Sequence, residues 1–339
     1  MQSENLTWHD AAELTVEGKG WPETARSYDR LPARAEGIVP PEVWNLSRHS
    51  AGLAVRFVTD AEALEARWTL RSEEKTMDHM AATGASGLDL YVRDGGRWRW
   101  LAVGRPMGPS TEQHSQLLTE MLPGLHEMML YLPLYNGVES LELGVAAGRT
   151  LDPAPPRRHK PVVFYGTSIV QGGCASRTGM AYASILGRWL DRPTVNLGFS
   201  GSGRAEPEVA RLLAELDPSA YVLDAVPNLE PDEVAERMER FVGILRQARP
   251  ATDIVLVEGI RYQQQDFVAS RRRRMERSRA ALSAARERLS AAGVAGLHYV
   301  AGDSLLGDDD EATVDGTHPT DVGFLRLGRA LEPVLRPLV

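Results

Sequence analysis

The chain has 339 residues, with 46 acidic against 38 basic side chains and a net charge of −8, so it carries no broad positive field for a phosphate backbone and nucleic acid is excluded as the expected partner. Hydrophobic residues at 43% and charged residues at 25% are the composition of a soluble globular chain long enough for two domains. The single cysteine, Cys174, excludes an internal disulfide and any cysteine metal cluster.

The stretch Met1-Gln2-Ser3-Glu4-Asn5-Leu6-Thr7-Trp8 shows no basic region leading into an apolar run, and no apolar stretch approaches about 18 residues. The expectation is a cytoplasmic protein without a membrane partner. Residues 1–150 read as β-rich. Segments 53–57, 66–70 and 88–92 alternate apolar with polar or small side chains, the period of a half-buried strand. Asp94-Gly95-Gly96 between 88–93 and 97–103 predicts a hairpin, because glycine accepts the positive φ that tight hairpin turns require. Asn136-Gly137 marks a second turn between 128–134 and 138–145. Short strands joined by such turns predict a β-sandwich, jelly-roll-like in type.

Residues 147–160 bring three prolines, Pro153, Pro155 and Pro156, beside Arg157, Arg158 and Lys160. A stiff exposed linker is expected over 151–160. Beyond it, apolar runs at 162–165, 194–197, 220–223, 253–257 and 297–300 alternate with helical stretches at 181–190, 207–216, 231–248, 268–292 and 321–335. That alternation predicts a parallel sheet covered by helices on both faces, with a ligand site at the carboxyl ends of the strands. The basic run 271–274 opens one of these helices and reads as a solvated face.

Chemistry concentrates in the second half. Ser168 stands where the run 161–165 gives way to Gly166-Thr167, and Asp315 stands three positions before His318 in Asp315-Gly316-Thr317-His318-Pro319. A serine hydroxyl is a poor nucleophile at neutral pH unless a base takes its proton, and the base works best when a carboxylate fixes its tautomer. Pro319 biases His318 away from helical geometry and keeps the imidazole on a loop. Between these blocks lie Asn196-Leu197-Gly198-Phe199-Ser200-Gly201-Ser202-Gly203 and Asp224-Ala225-Val226-Pro227-Asn228.

The four blocks, in this order over residues 160–335, resemble the SGNH or GDSL hydrolases. The resemblance implies a flavodoxin-like three-layer α/β/α domain, here residues 161–339, and ester hydrolysis through an acyl-serine without a cofactor or a metal. Position by position it implies Ser168 as nucleophile, His318 as general base and Asp315 as the orienting acid. The backbone N–H groups of Ser168 and Gly201 and the side-chain amide of Asn228 become the oxyanion hole, whose donors are each worth about 3 kcal/mol in the transition state. Glycine at 201 is expected because a carbonyl oxygen must approach the main chain there. Two departures stand out: Thr167 replaces the usual aspartate before the serine, and Val226-Pro227-Asn228-Leu229 replaces the usual Gly-x-Asn-Asp. Ser86-Gly87-Leu88-Asp89-Leu90-Tyr91 also resembles the β-domain that precedes the catalytic domain in one bacterial branch of the family.

Thr167 and Glu258, the latter at the end of a predicted strand, are the candidate substrate contacts, with a cap or salt bridge as the other reading of Glu258. Cys174 is either a second nucleophile or a small core residue. Asp303 and residues 308–311 suit a cation or a solvated loop, and no metal site is expected. Trp8, Trp21, Trp44, Trp68, Trp98 and Trp100 suit a sugar platform or an ordinary sandwich core. The expected activity is hydrolysis of small or medium acyl esters, with a small-molecule substrate of carbohydrate or polyol type by analogy with the family. Transfer of the same acyl group to an alcohol, and an inactive carbohydrate-binding protein, are the competing readings.

Overall fold

The structure, a computed structural model, describes residues 5–339; Met1 to Glu4 of the stretch read for a leader lie outside it. The described residues divide into two compact units that do not follow one cut in sequence: residues 5–33, 47–158 and 175–179 form the first, and 34–46, 159–174 and 180–339 the second.

In the first unit β1 (Leu6–Asp10), β2 (Thr15–Glu17), β3 (Ala54–Thr59), β4 (Leu64–Leu70), β5 (Leu88–Asp94), β6 (Arg97–Gly104), β7 (Glu112–Leu118), β8 (His126–Tyr131), β9 (Val138–Ala146) and β10 (Leu151–Pro153) make two antiparallel sheets. One has the order β1-β9-β4-β7; the other runs β10-β3-β8-β5-β6, with β2 also on β3. Inward residues of both, among them Val55, Phe57, Trp68, Leu90, Leu130 and Leu141, share one hydrophobic core, the β-sandwich the alternating pattern predicts. Gly95 and Gly96 take φ of +54° and +79° at the β5–β6 hairpin. Asn136-Gly137 instead carries the chain from one sheet to the other, since β8 and β9 lie in different sheets. Gly137 is needed there for space, as a Cβ would lie 2.4 Å from the Arg48 carbonyl oxygen. The expected linker is partly strand: Leu151–Pro153 pairs antiparallel with β3.

The second unit contains α1 (Pro41–Ser47) up to Leu46; the four-residue α2 (Ala82–Ala85) belongs to the first. Five parallel strands, β11 (Val162–Gly166), β12 (Thr194–Gly198), β13 (Ala220–Asp224), β14 (Asp253–Val257) and β15 (Leu297–Val300), form a sheet of order β12-β11-β13-β14-β15. This is the flavodoxin-like order, and its switch point lies between β11 and β13. Helices α3 (Ser168–Gln171), α4 (Tyr182–Leu190), α5 (Pro207–Leu213), α6 (Pro231–Ala248), α7 (Ala269–Ala291) and α8 (Asp321–Leu335) connect and flank the strands. The strand residues 162–166, 194–198 and 220–224 are all buried, which explains continuous apolar runs in place of alternation. Arg271, Arg272 and Arg273 are exposed on α7, the solvated face expected of that run. No helix among the described residues is long and apolar enough to cross a membrane.

Candidate active site

Ser168 begins a single helical turn directly after β11. Thr167, the residue before it, has extended backbone and its Oγ1 accepts the Ile169 N–H at 3.2 Å, capping that turn. Thr167 is 1% exposed, so the hydroxyl assigned to substrate is spent as a helix cap. Ser168 is 8% exposed, and its Oγ lies 3.0 Å from His318 Nε2, within reach for proton transfer. His318 Nδ1 lies 2.7 Å from Asp315 Oδ2.

The Asp315–His318 segment builds its own geometry. Asp315 Oδ1 accepts the backbone N–H groups of Thr317 at 3.0 Å and His318 at 2.8 Å, and Gly316 takes φ +83° at the bend, a left-handed conformation that favours glycine. Burial opposes the charge on Asp315, but the His318 N–H, the imidazole and the Thr317 N–H more than offset it and bring its pKa down to about 2. The carboxylate is therefore ionised at neutral pH and holds the Nδ1–H tautomer, leaving Nε2 as the acceptor that faces the serine.

The loop after β12 is held by buried amides. Asn196 donates from Nδ2 to the Val170 carbonyl at 2.7 Å and accepts the Gly198 N–H at 2.9 Å, while Gln171 Oε1 accepts the Ser200 N–H at 3.0 Å. These two side chains tie the loop to the Ser168 turn, a role no local pattern disclosed. Their signal is two uncharged amides inside otherwise apolar or glycine-rich runs. On the other side the Tyr165 hydroxyl donates to Glu206 and accepts the Ala205 N–H at 2.8 Å.

Gly201 has φ +68°, and a Cβ there would meet nothing within 4 Å. Glycine there suits the left-handed backbone and leaves the space beside it open, whereas Gly203 is needed for close packing, since its Cβ would lie 1.9 Å from the Gly166 carbonyl oxygen. Gly203→Ala is accordingly expected to lower the melting temperature far more than Gly201→Ala, which carries only the left-handed backbone cost of about 1 kcal/mol. Thermal unfolding of the two variants side by side checks this. The Asn228 side-chain amide points at the same loop, with Phe199 and Gly203 carbonyl oxygens at 3.4 and 3.3 Å. The loop also opens onto a cavity of about 450 Å³ lined by Gly201, Ser202, Arg204, Glu206, Arg237 and Pro40 together with Glu42.

Glu258 takes the salt-bridge reading. Its carboxylate accepts the Tyr299 hydroxyl at 2.7 Å and the Gly302 N–H at 2.6 Å, with Arg279 Nε at 3.2 Å, so it is committed to its own strand-end turn. Cys174 is buried, and burial, with Asp315 adding to it, pushes the thiol up to about 12; the core reading is the one the structure supports. Asp303 faces Arg279, and Asp309 meets Arg326 at 2.6 Å, so these acids are balanced by arginines. Trp21, Trp44 and Trp68 are buried, Trp8 lies under the Arg67 guanidinium and Trp98 packs beside Tyr91, Met129 and Tyr131; these five are taken up in packing.

One acid of the third block is buried, with no mark of this in the local pattern. Asp224, at the end of β13 beside Gly166, is 2% exposed; it accepts the Tyr182 hydroxyl at 3.1 Å through Oδ2, while Oδ1 has no partner. Burial raises its pKa to about 7.

Residues 159–336 match the GDSL-like Lipase/Acylhydrolase family, and residues 6–151 match the family of N-termini of SGNH-hydrolase-type esterases. A crystal structure from Bacteroides ovatus, described as that of a GDSL-like lipase, is similar over 98% of both chains at 35% identity and a TM-score of 0.94. A salicylyl-acyltransferase from a tetracycline biosynthetic pathway shares the fold over 98% of this chain and 97% of its own, at 19% identity and TM-score 0.76. A family two carbohydrate esterase from Cellvibrio japonicus does so over 99% and 98%, at 15% identity and TM-score 0.62. No curated protein matches the sequence. With both halves matched and a relative of 35% identity along the whole length, the chain belongs to the GDSL-like lipase/acylhydrolase family and is an SGNH-type hydrolase.

Proposed function

We propose that the protein is a serine esterase acting on small, polar acyl esters, of carbohydrates or other polyols, through an acyl-Ser168 intermediate. The observation that carries the reading is the unbroken line from Ser168 Oγ through His318 to Asp315, at 3.0 and 2.7 Å. In the first half-reaction Oγ attacks the ester carbonyl carbon while His318 Nε2 takes its proton. The negative charge then forming on the carbonyl oxygen is met by the N–H groups of Ser168 and Gly201 and by the Asn228 amide. Collapse breaks the bond to the alcohol, which leaves with the proton from His318. Water then attacks the acyl-serine by the same steps in reverse order, and Asp315 stabilises the imidazolium each time it forms.

The cavity beside Gly201, lined by Ser202, Arg204, Glu206 and Arg237, supports a small, polar substrate. Such walls suit hydroxyl-bearing groups and disfavour long alkyl chains, whose burial needs apolar surface. The similarity of fold to a family two carbohydrate esterase is in keeping with this substrate class. Among p-nitrophenyl esters from acetate to octanoate, kcat/KM is expected to be highest for acetate and to fall with each lengthening. Intact mass during turnover should show an adduct on Ser168. A rate rising towards octanoate would overturn the substrate class, and turnover with no adduct on Ser168 would overturn the mechanism. Adding alcohols to the same reaction separates hydrolysis from transfer, because an acyltransferase would send most of the acyl group to the acceptor.

A further inference from the structure

The run Gln263-Gln264-Gln265 has no part in the chemistry above, yet two of its side chains meet the segment that carries Asp315 and His318. The three glutamines open a single 3₁₀ turn, Gln263–Asp266, in the connection from β14 to α7. Gln264 Nε2 donates to the backbone carbonyl of Asp315 at 3.1 Å. Gln263 Oε1 accepts the Thr313 hydroxyl, and Thr313 Oγ1 in turn accepts the Gly316 N–H at 2.9 Å. An amide carries both donors and an acceptor, so two adjacent glutamines serve a carbonyl and a hydroxyl without adding charge beside the Asp315 carboxylate.

The bend over Asp315–His318 is shaped from within but not placed from within. Its two N–H bonds to Asp315 Oδ1 fix the angle between carboxylate and imidazole, and they would survive a movement of the bend as a unit. Ser168 stands 150 residues earlier in the chain, beyond the reach of any such local bond. The base of the bend closes on itself, with the Val314 N–H on the His318 carbonyl and the Thr320 N–H on the Ala312 carbonyl, both at 2.9 Å. It is docked on α8, where a Cβ on Gly323 would lie 2.3 Å from the Ala312 carbonyl oxygen. The tip is docked on the glutamine turn. A Cβ on Gly316 would lie 2.2 Å from Gln264 Nε2 and 2.7 Å from its Oε1, so the amide rests against bare main chain there.

The turn is itself anchored. Arg272 of α7 donates from Nε to the Gln265 carbonyl at 3.2 Å and from Nη2 to the Asp266 carbonyl at 3.0 Å, and the Asp266 carboxylate pairs with Arg261. Tyr262 and Gln265 are buried on either side of the two bracing residues, while Gln264 is left at the surface against the bend. All of these residues belong to the second unit, as do Ser168 and His318.

We infer that Gln263 and Gln264 are positioning residues for His318: they join the bend to the connection that leaves β14 and so set where the imidazole stands against Ser168 Oγ. The inference rests on His318 being the base that serves Ser168, and its effect is on geometry rather than on substrate binding. Misplacement of a reacting group by about 1 Å costs about 100-fold in rate. Gln263→Met together with Gln264→Met keeps side-chain length and removes both bonds. This double variant is therefore expected to lower kcat for a short-acyl ester about 100-fold, with KM changed less than about threefold.

The test uses the full chain, steady-state kinetics and a fluorophosphonate, which Ser168 Oγ attacks at phosphorus as fluoride leaves and His318 takes the proton. Labelling of the double variant should be slow yet run to completion. A misplaced base slows every molecule, whereas a merely structural loss leaves a fraction that reacts at the wild-type rate. Thr313→Ser keeps the hydroxyl that links Gln263 to Gly316 and should hold most of the rate; Thr313→Val lacks it and should not. Adding Gln263→Met to Thr313→Val should cost nothing further, because the bond is already gone. The Thr313 variants decide the question even if the double methionine variant fails to fold. Wild-type kcat in that variant, partial labelling at the wild-type rate, or equal losses in Thr313→Ser and Thr313→Val would overturn the inference while leaving the mechanism. No label on Ser168 in the wild type, or undiminished labelling in His318→Ala, would overturn the proposed mechanism and the inference with it.

Discussion

Replacing Ser168 with alanine is expected to lower kcat/KM on an activated acetate ester by about 10⁴-fold or more, and His318→Ala should cost nearly as much. The hydroxyl and the imidazole sit 3.0 Å apart and act as a unit: without the base the hydroxyl keeps its proton, and without the hydroxyl the base has only water to activate. The double variant should for that reason be no worse than the poorer single one. The residual rate in all three would come from binding and the donors at Gly201 and Asn228. Initial rates at saturating and at low ester concentration check the prediction, and losses that multiply in the double variant would show that the two side chains work independently.

Asp224→Asn is expected to stabilise the fold above neutral pH, by about 4 kcal/mol at pH 8. The sign follows from burial. The folded-state pKa stands at about 7 against the usual 3.8, so an unfolded chain gives up the proton at a lower pH than the native protein does. Below both values the two states are equally protonated. As pH rises from about 4 to about 7 the unfolded state gains stability from ionising while native Asp224 stays neutral, and the wild type weakens through that window. Asparagine keeps the shape and the contact with Tyr182 and carries no charge to bury. Urea denaturation at pH 5 and pH 8 measures both proteins: wild type should lose stability between the two conditions relative to the variant, and parallel behaviour would mean that Asp224 is ionised at neutral pH in the native state.

Much of the second unit can be read from its residues alone, since each buried strand is a short apolar run and each block of small residues falls at a strand end. Ser168, Asp315 and His318 are legible for the same reason: local sequence sets the turn after β11 and the Asx bend at Asp315. Other features are invisible to a local pattern. β7, Glu112-Gln113-His114-Ser115-Gln116-Leu117-Leu118, is a strand with a mostly polar sequence, because an outward face on an antiparallel sheet needs no apolar residues. Thr167 as a cap and Glu258 as an ion-pair partner depend on neighbours 2 and 21 residues away, and only folding decides which competing bond each makes. Gln171 and Asn196 brace the loop across 29 and 26 residues. The assignment of 34–46 and 175–179 to the opposite unit has no compositional mark, because such short segments look like ordinary loops.

That interleaving sets an order of events during synthesis. A ribosome delivers the chain from its N-terminal side, and domains generally fold as they emerge, but here the first unit is still incomplete when its main span, 47–158, has been made. Residues 34–46 must wait, without the sheet they belong to, until the strands after residue 159 appear. The first unit closes fully only once residue 179 has emerged, by which time the turn bearing Ser168 is already outside the exit tunnel. Ser168 itself belongs to the second unit and is locked only when β12 and β13, made later, flank β11, and a chain stalled before residue 175 would carry a sandwich that still lacks Arg177, the ion-pair partner of Asp89.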